Sequence, residues 1–248
     1  MKQIIKLSFF ILFLWSLPIV VSAQNDDDDG LVQIAPKEEL PQQTNKKYLE
    51  DQFYLGLTYD LMAIAPDDVV QHSLSRGILF GFIKDIPLNK SRTIGVAAGL
   101  GYSYDLIYSN IVGIRTPEAT QYSIVSSLKE ANLSKNYFEY QCIELPIEFR
   151  WRTSTEKSHK FWRVYTGMRI GYVVSSENLF KKDDLNISFQ NPDLNRKWHF
   201  KVFTAFGYNA LNFFVQYNFT PLFKGVKTSD NTSLDTNILQ MGLMFYIL

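Results

Sequence analysis

The sequence predicts an all-β protein: an eight-stranded antiparallel transmembrane β-barrel, up-and-down, closed, with a filled interior. Three observations predict it. From Phe53 to the C-terminus apolar and polar residues alternate with a period of two, the connections between alternating segments are long and short by turns, and glycines share one face with the charges. A period of two belongs to a strand, whose successive side chains point to opposite faces.

The first fifty residues are of another kind. Lys2 and Lys6 precede an apolar run from Leu7 to Val21, and "VSA" precedes Gln24. That is the pattern of a secretory signal peptide over residues 1–23, and the run is short for a retained membrane helix. Residues 24–50 are polar, acidic and proline-containing, a composition that cannot bury enough apolar surface to fold by itself. They are expected to form a flexible acidic periplasmic tail; Asp26–Asp29 lack the spaced ligands and glycine turn of a calcium loop. The barrel is assigned to residues 51–248. No later segment has the long uncharged apolar stretch of a membrane helix, so insertion falls to strands.

Eight strands are expected, at 53–61, 74–86, 93–106, 137–152, 161–174, 198–208, 211–221 and 238–248. The first places Gly56 and Asp60 together, and the second Gly77 and Gly81. In the third, Ile94, Val96, Ala98, Leu100, Tyr102 and Tyr104 oppose Gly95, Ala97, Gly99, Gly101, Ser103 and Asp105. In the fourth, "CIELPIEFRWR" sets Ile143, Leu145, Ile147, Phe149 and Trp151 against Glu144, Pro146, Glu148, Arg150 and Arg152. Pro146 removes a ladder donor there, so a local bulge or a missing bond is expected. The fifth opposes Trp162, Val164, Met168, Ile170 and Tyr172 to Arg163, Tyr165, Gly167, Arg169 and Gly171. The sixth opposes Trp198, Phe200, Val202, Phe206 and Tyr208 to His199, Lys201, Ala205 and Gly207. The seventh opposes Leu211, Phe213, Val215 and Tyr217 to Asn212, Phe214, Gln216 and Asn218, and the eighth carries Gly242.

The gaps 62–73, 107–136, 175–197 and 222–237 are long, and those between them are short. Such sorting is the plan of an outer-membrane barrel, with short periplasmic turns and longer outside loops; a soluble sandwich has no reason for it. Glycine placement decides which face meets lipid. A small closed barrel has an interior only wide enough for side chains, and inward glycines give room to charges. The expected interior charge network is Asp60, Glu144, Glu148, Arg150, Arg163, Arg169 and Lys201, in both signs so that ions pair rather than stay buried alone. Trp151, Trp162, Trp198, Tyr208, Phe213 and Tyr217 are expected on the lipid-facing wall and its girdles.

Other functions find little support. Twenty-five basic residues balance twenty-five acidic ones, which excludes the basic footprint of a nucleic-acid binder. The single cysteine, Cys142, excludes an intrachain disulfide or a multi-cysteine zinc site and reads as a small strand filler. His72, His159 and His199 are too dispersed for a metal site. "GVAAGLGYSYD" does not stand between a strand and a helix as a phosphate loop requires. A Ser/His site at His72, near Ser73 and Ser75, would need a convergence that spacing does not establish. No catalytic, cofactor-binding or metal residue is assigned, and no cofactor is expected. In "QYSIVSSLKEANLSK" Ile124, Val125, Leu128 and Ala131 recur at helical spacing, predicting a short amphipathic helix over the outer mouth.

The stretches "YLEDQFYLGLTYDL", "GFIKDIPLNK", "IELPIEFRWRTST", "FWRVYTGMRIGYV", "YNFTPLFK" and "MGLMFYIL" resemble the small outer-membrane β-barrel proteins of the porin family, the PorT-like group. The resemblance covers nearly all of residues 48–248. It implies an eight-stranded barrel with both ends in the periplasm and a link to type IX protein secretion or to larger outer-membrane machines. The expected function is that of a non-enzymatic accessory subunit, with a small diffusion channel or a surface-loop binding protein as the alternatives. Its expected partners are the lipid bilayer, lipopolysaccharide and a larger outer-membrane complex, met through loops 107–136 and 175–197, the barrel wall and the 24–50 tail.

Overall fold

A computed structural model describes residues 51–117, 120–153, 162–182, 184–191, 197–223 and 225–247. The signal peptide, the tail and His159 lie outside the described residues. The strands are β1 (Asp51–Ile64), β2 (Arg76–Pro87), β3 (Ile94–Tyr108), β4 (Ile111–Arg115), β5 (Thr120–Ile124), β6 (Leu133–Arg152), β7 (Trp162–Lys182), β8 (Leu185–Gln190), β9 (Trp198–Tyr208), β10 (Leu211–Asn218) and β11 (Asn237–Ile247).

Eight of them run in the antiparallel order β6-β3-β2-β1-β11-β10-β9-β7, and pairing of β6 with β7 closes the cylinder. Closure leaves no strand edge within the wall, as a lipid environment demands of backbone polar groups. The described chain ends meet: Phe53 pairs with Ile247, and the Tyr246 amide donates to the carbonyl of Ala210 in the β9–β10 turn. Both ends therefore lie at the rim of the short turns.

Side chains obey the expected parity. Exposed and buried residues alternate along β1 from Asp51 to Asp60 and along the whole of β9, and the exposed apolar ones include Phe53, Leu55 and Leu57 on β1 and Trp198, Phe200, Val202 and Phe206 on β9. Trp162–Tyr208 and Tyr172–Trp198 are the first and last pairs of the β7–β9 ladder, with ring centroids 5.5 and 5.1 Å apart. Ten steps of about 3.3 Å at a tilt of roughly 40° set these girdles about 25 Å apart along the barrel axis. That is the height of an outer-membrane apolar band.

The ladder between β3 and β6 lapses between Ala98↔Ile147 and Gly101↔Glu144 without a change of register. Pro146 stands in this gap, where it has no amide hydrogen to give. Register does shift elsewhere, between Gln141 and Cys142 against β7 and between Met62 and Ile64 against β11.

The long connections correct the sequence reading. No helix forms over 121–135. Thr120–Ile124 is β5, hydrogen-bonded to β4, and only one turn follows, closed by the Leu133 amide on the Leu128 carbonyl at 2.7 Å. Ile124 and Val125 fit a strand as well as a helix because β-branched residues prefer extended backbone, and the pairing with Ile111–Arg115 decides between them. Loops 107–136 and 175–197 are likewise not wholly loop. β6 begins at Leu133 and β7 runs on to Lys182, with β8 added to β7 beyond the wall.

Candidate functional site

The interior is filled in two sections. In the inner one, nearer the short turns, the described buried charges are Asp60, Asp85, Asp105, Glu144 and Glu148 against Arg150, Arg152, Arg163, Arg169 and Lys201. Five acidic residues stand among five basic ones, so that ions of opposite sign can pair, the condition under which burial of so many is bearable.

Glu144 on β6 ties two cations: Lys201 Nζ of β9 at 2.7 Å and Arg169 of β7 at 3.4 Å. Arg150 donates from Nε to Glu148 at 2.9 Å and from Nη1 to Gln52 at 2.9 Å. Asp85 on β2 receives Arg152 at 2.5 Å and stands 3.8 Å from Arg150. The guanidinium groups also lie on rings. Arg150 is 4.5 Å from the centroid of Tyr165, and Arg169 is 4.9 Å from Tyr54 and 4.7 Å from Phe203. A ring face is electron-rich, so in a dry interior it supplies part of the solvation that water would give.

Further out, Gln240 Nε2 donates to Asp105 at 2.7 Å and to Asp60 at 3.0 Å, while Thr58 donates to Asp60 at 2.7 Å. Here the glycines have their use. A Cβ on Gly77 would overlap Asp105 Oδ1, and one on Gly101 would overlap Tyr54 Oη. His199 lies buried with Nδ1 2.9 Å from Asn218 Nδ2 and its ring stacked on Tyr140 at 5.9 Å.

Around and beyond Tyr140 the chemistry changes. Ile107, Ile111, Tyr122, Phe138, Cys142, Val173, Leu222, Phe223, Leu234 and Ile238 form one buried apolar cluster. Phe223 sets its ring edge against Phe138 at 5.2 Å and Tyr122 at 5.5 Å. Half of this filling comes from the connections: the β4–β5 hairpin and the segment between β10 and β11. The filled interior expected from the sequence thus has a second, apolar part that the charge network did not include. The outer mouth is closed by an apolar cap.

All seven charges singled out in the sequence, Asp60, Glu144, Glu148, Arg150, Arg163, Arg169 and Lys201, are buried. Trp151, Trp162, Trp198, Tyr208 and Phe213 are exposed on the wall, and Tyr217 is partly so. Sequence reasoning left out Asp85, Asp105 and Arg152 as partners, although each shares parity with the glycines or charges of its own strand. Cys142 is buried within the apolar cap. His72 is placed away from the interior, its Nε2 donating to the Ser109 carbonyl at 2.7 Å. Among the described residues no three His, Cys, Asp or Glu side chains are grouped to hold a metal ion.

Residues 41–224 match the family described as "Outer membrane protein beta-barrel domain", well over half of the chain. No curated protein matches. Among solved structures the chain is similar to Ail, the attachment invasion locus protein of Yersinia pestis. Identity is 11%, with 79% of this chain and 96% of that chain covered and a TM-score of 0.32.

Proposed function

The chain belongs to the outer membrane protein beta-barrel domain family, and from that premise we propose that it is a sealed, non-enzymatic accessory subunit of a larger outer-membrane complex. It is a bacterial outer-membrane barrel. The finer reading, a PorT-like subunit serving type IX-like protein secretion or barrel assembly, draws its support from the sequence resemblance together with one structural observation. That observation is the double filling of the interior, by ion pairs and then by an apolar cap. A barrel with no lumen has only its loops, wall and tail to work with, and those surfaces suit partners rather than solutes.

In this reading the short turns and both strand ends face the periplasm, so that the 24–50 tail reaches periplasmic components. The long connections, including 107–136 and 175–197, face outward toward lipopolysaccharide and the exposed parts of the complex. β8 gives that side an unusual feature. Among the described residues its far edge is unpaired in the sheet order, and Leu185 and Ile187 are exposed upon it, the arrangement through which another chain adds a strand.

The test is purification from native membranes in mild detergent. Co-migration with a larger assembly at fixed stoichiometry is the expected result, and a lone monomer under every mild condition refutes the accessory role. Planar-bilayer recording is the companion experiment: steady single-channel conductance would replace the sealed barrel by a diffusion channel.

A further inference from the structure

Just beyond the outer aromatic girdle a cleft of about 1070 Å³ opens between the β1–β2 connection and the 126–135 stretch that leads into β6. Arg76, Lys129, Lys135 and His72 line it, and among the described residues no carboxylate does. Its height follows from the ladder. Arg76 pairs with Leu106 on β3, two residues past Tyr104, a lipid-side aromatic at the outer end of β3 that extends the girdle there, and thus about 5 Å further along the axis at the usual rise and tilt. Lipid headgroup phosphates lie at that level.

A second observation points the same way. Lys135 stands directly opposite Lys181 in the β6–β7 ladder, and like charges in that relation are destabilising. Four residue pairs nearer the girdle, Glu139 likewise faces Glu177, yet those acids are answered within the protein. Glu139 accepts from Tyr104 at 2.7 Å and from Gln141 at 2.9 Å, and Glu177 accepts from Gln190 at 2.8 Å. Arg76, Lys129, Lys135 and Lys181 make no ion pair among the described residues. His72 keeps its Nε2 on the Ser109 carbonyl and its ring edge-on to Tyr108 at 6.4 Å, so the wall of the cleft is fixed before any ligand arrives.

We propose that this cleft is a binding site for the phosphates of a glycolipid headgroup of the outer leaflet, the lipid A class. A multiply charged phosphate bridges a guanidinium and two ammonium groups with charge-assisted hydrogen bonds, and the volume is at the upper end for ligand pockets, about 1,000 Å³. That suits a phosphorylated disaccharide. The proposal rests on the orientation given above, long connections outward.

The experiment uses the purified full-length barrel in neutral detergent, titrated with bisphosphorylated lipid A and read by native mass spectrometry. We expect specific retention that falls at least tenfold in R76Q/K129Q/K135Q and falls equally for wild type with dephosphorylated lipid A. These side chains are outside the packed interior, and heat-modifiable gel migration verifies that the variant folds. Equal retention by the variant overturns the site, and so does inorganic phosphate competing as well as lipid A does. Orientation is read separately, by labelling Ser73→Cys on intact cells with a membrane-impermeant maleimide. The only native thiol, Cys142, is buried. Labelling confined to lysed cells would fault the orientation, while the retention result still judges the site.

Discussion

From the level of Tyr140 inward the barrel is filled from its own wall: Asp60 projects from β1, Asp85 from β2, Asp105 from β3, Glu144 and Arg150 from β6, Arg169 from β7 and Lys201 from β9. Outward of Tyr140, much of the filling is lent by connections, with Ile111 and Tyr122 on the β4–β5 hairpin and Leu222, Phe223 and Leu234 between β10 and β11. The division follows from what each interaction needs. A charge-assisted hydrogen bond works only at fixed distance and angle, so its partners sit on strands paired on both sides. Apolar burial has no preferred direction, so a loosely guided loop can supply it. The inner section should therefore be lost only when the barrel is lost, whereas the cap should open as a local unit.

Removing one ion from the inner section separates the two regimes most sharply. Glu144→Gln leaves Lys201 and Arg169 without their shared carboxylate, and breaking a buried pair this way costs about 3–5 kcal/mol. We expect a matching fall in the urea midpoint of the whole barrel, followed by heat-modifiable migration. Adding Lys201→Met should return part of the loss, since an apolar side chain replaces the stranded ammonium. A local effect, with the global midpoint untouched, would break the distinction.

Phe223→Ala asks the same of the cap. Loss of a buried ring costs about 3 kcal/mol at the low end. If the cap opens on its own, proteolysis between β10 and β11 should quicken about a hundredfold, because cleavage tracks the open population. The global midpoint should hardly move. Next in size is Gly101→Val, whose added atoms meet Tyr54 Oη and the Phe80 carbonyl. Overpacking of that kind costs about 1–3 kcal/mol, and since the site is in the wall the loss should appear in the global midpoint.

The same division explains what could be read from the chain. Parity is a local property, and it orients every inward residue of the wall, including Glu144, Arg169 and Gly101. Asp85 and Arg152 were equally legible by parity; their pairing at 2.5 Å was not, since it depends on the register between β2, β3 and β6. The cap was out of reach for a stronger reason. Leu222, Phe223 and Leu234 lie in an aperiodic stretch, and nothing near them says that they meet Phe138, some ninety residues away. The 121–135 segment misleads because four apolar residues at helical spacing satisfy a helix template, while the partner that makes part of it a strand, Ile111–Arg115, counts only once the chain has folded back.

The smallest expected effect sharpens the comparison from outside the barrel. Tyr104 Oη donates to Glu139 at 2.7 Å on the outer girdle, in a chain where Gln141 donates to the same carboxylate and Tyr102 donates to Gln141. Tyr104→Phe removes one donor from a carboxylate, as losing a cation would at Glu144, but here Glu139 is half-exposed and water can take the vacant place. A replaceable hydrogen bond is worth about 0.5–1.5 kcal/mol, and the low end is expected. The ratio of the Glu144→Gln loss to the Tyr104→Phe loss thus measures how much drier the interior is than the rim. Should the two losses prove alike, water does not reach Tyr104, the apolar band extends past it, and the girdle spacing of about 25 Å is too short.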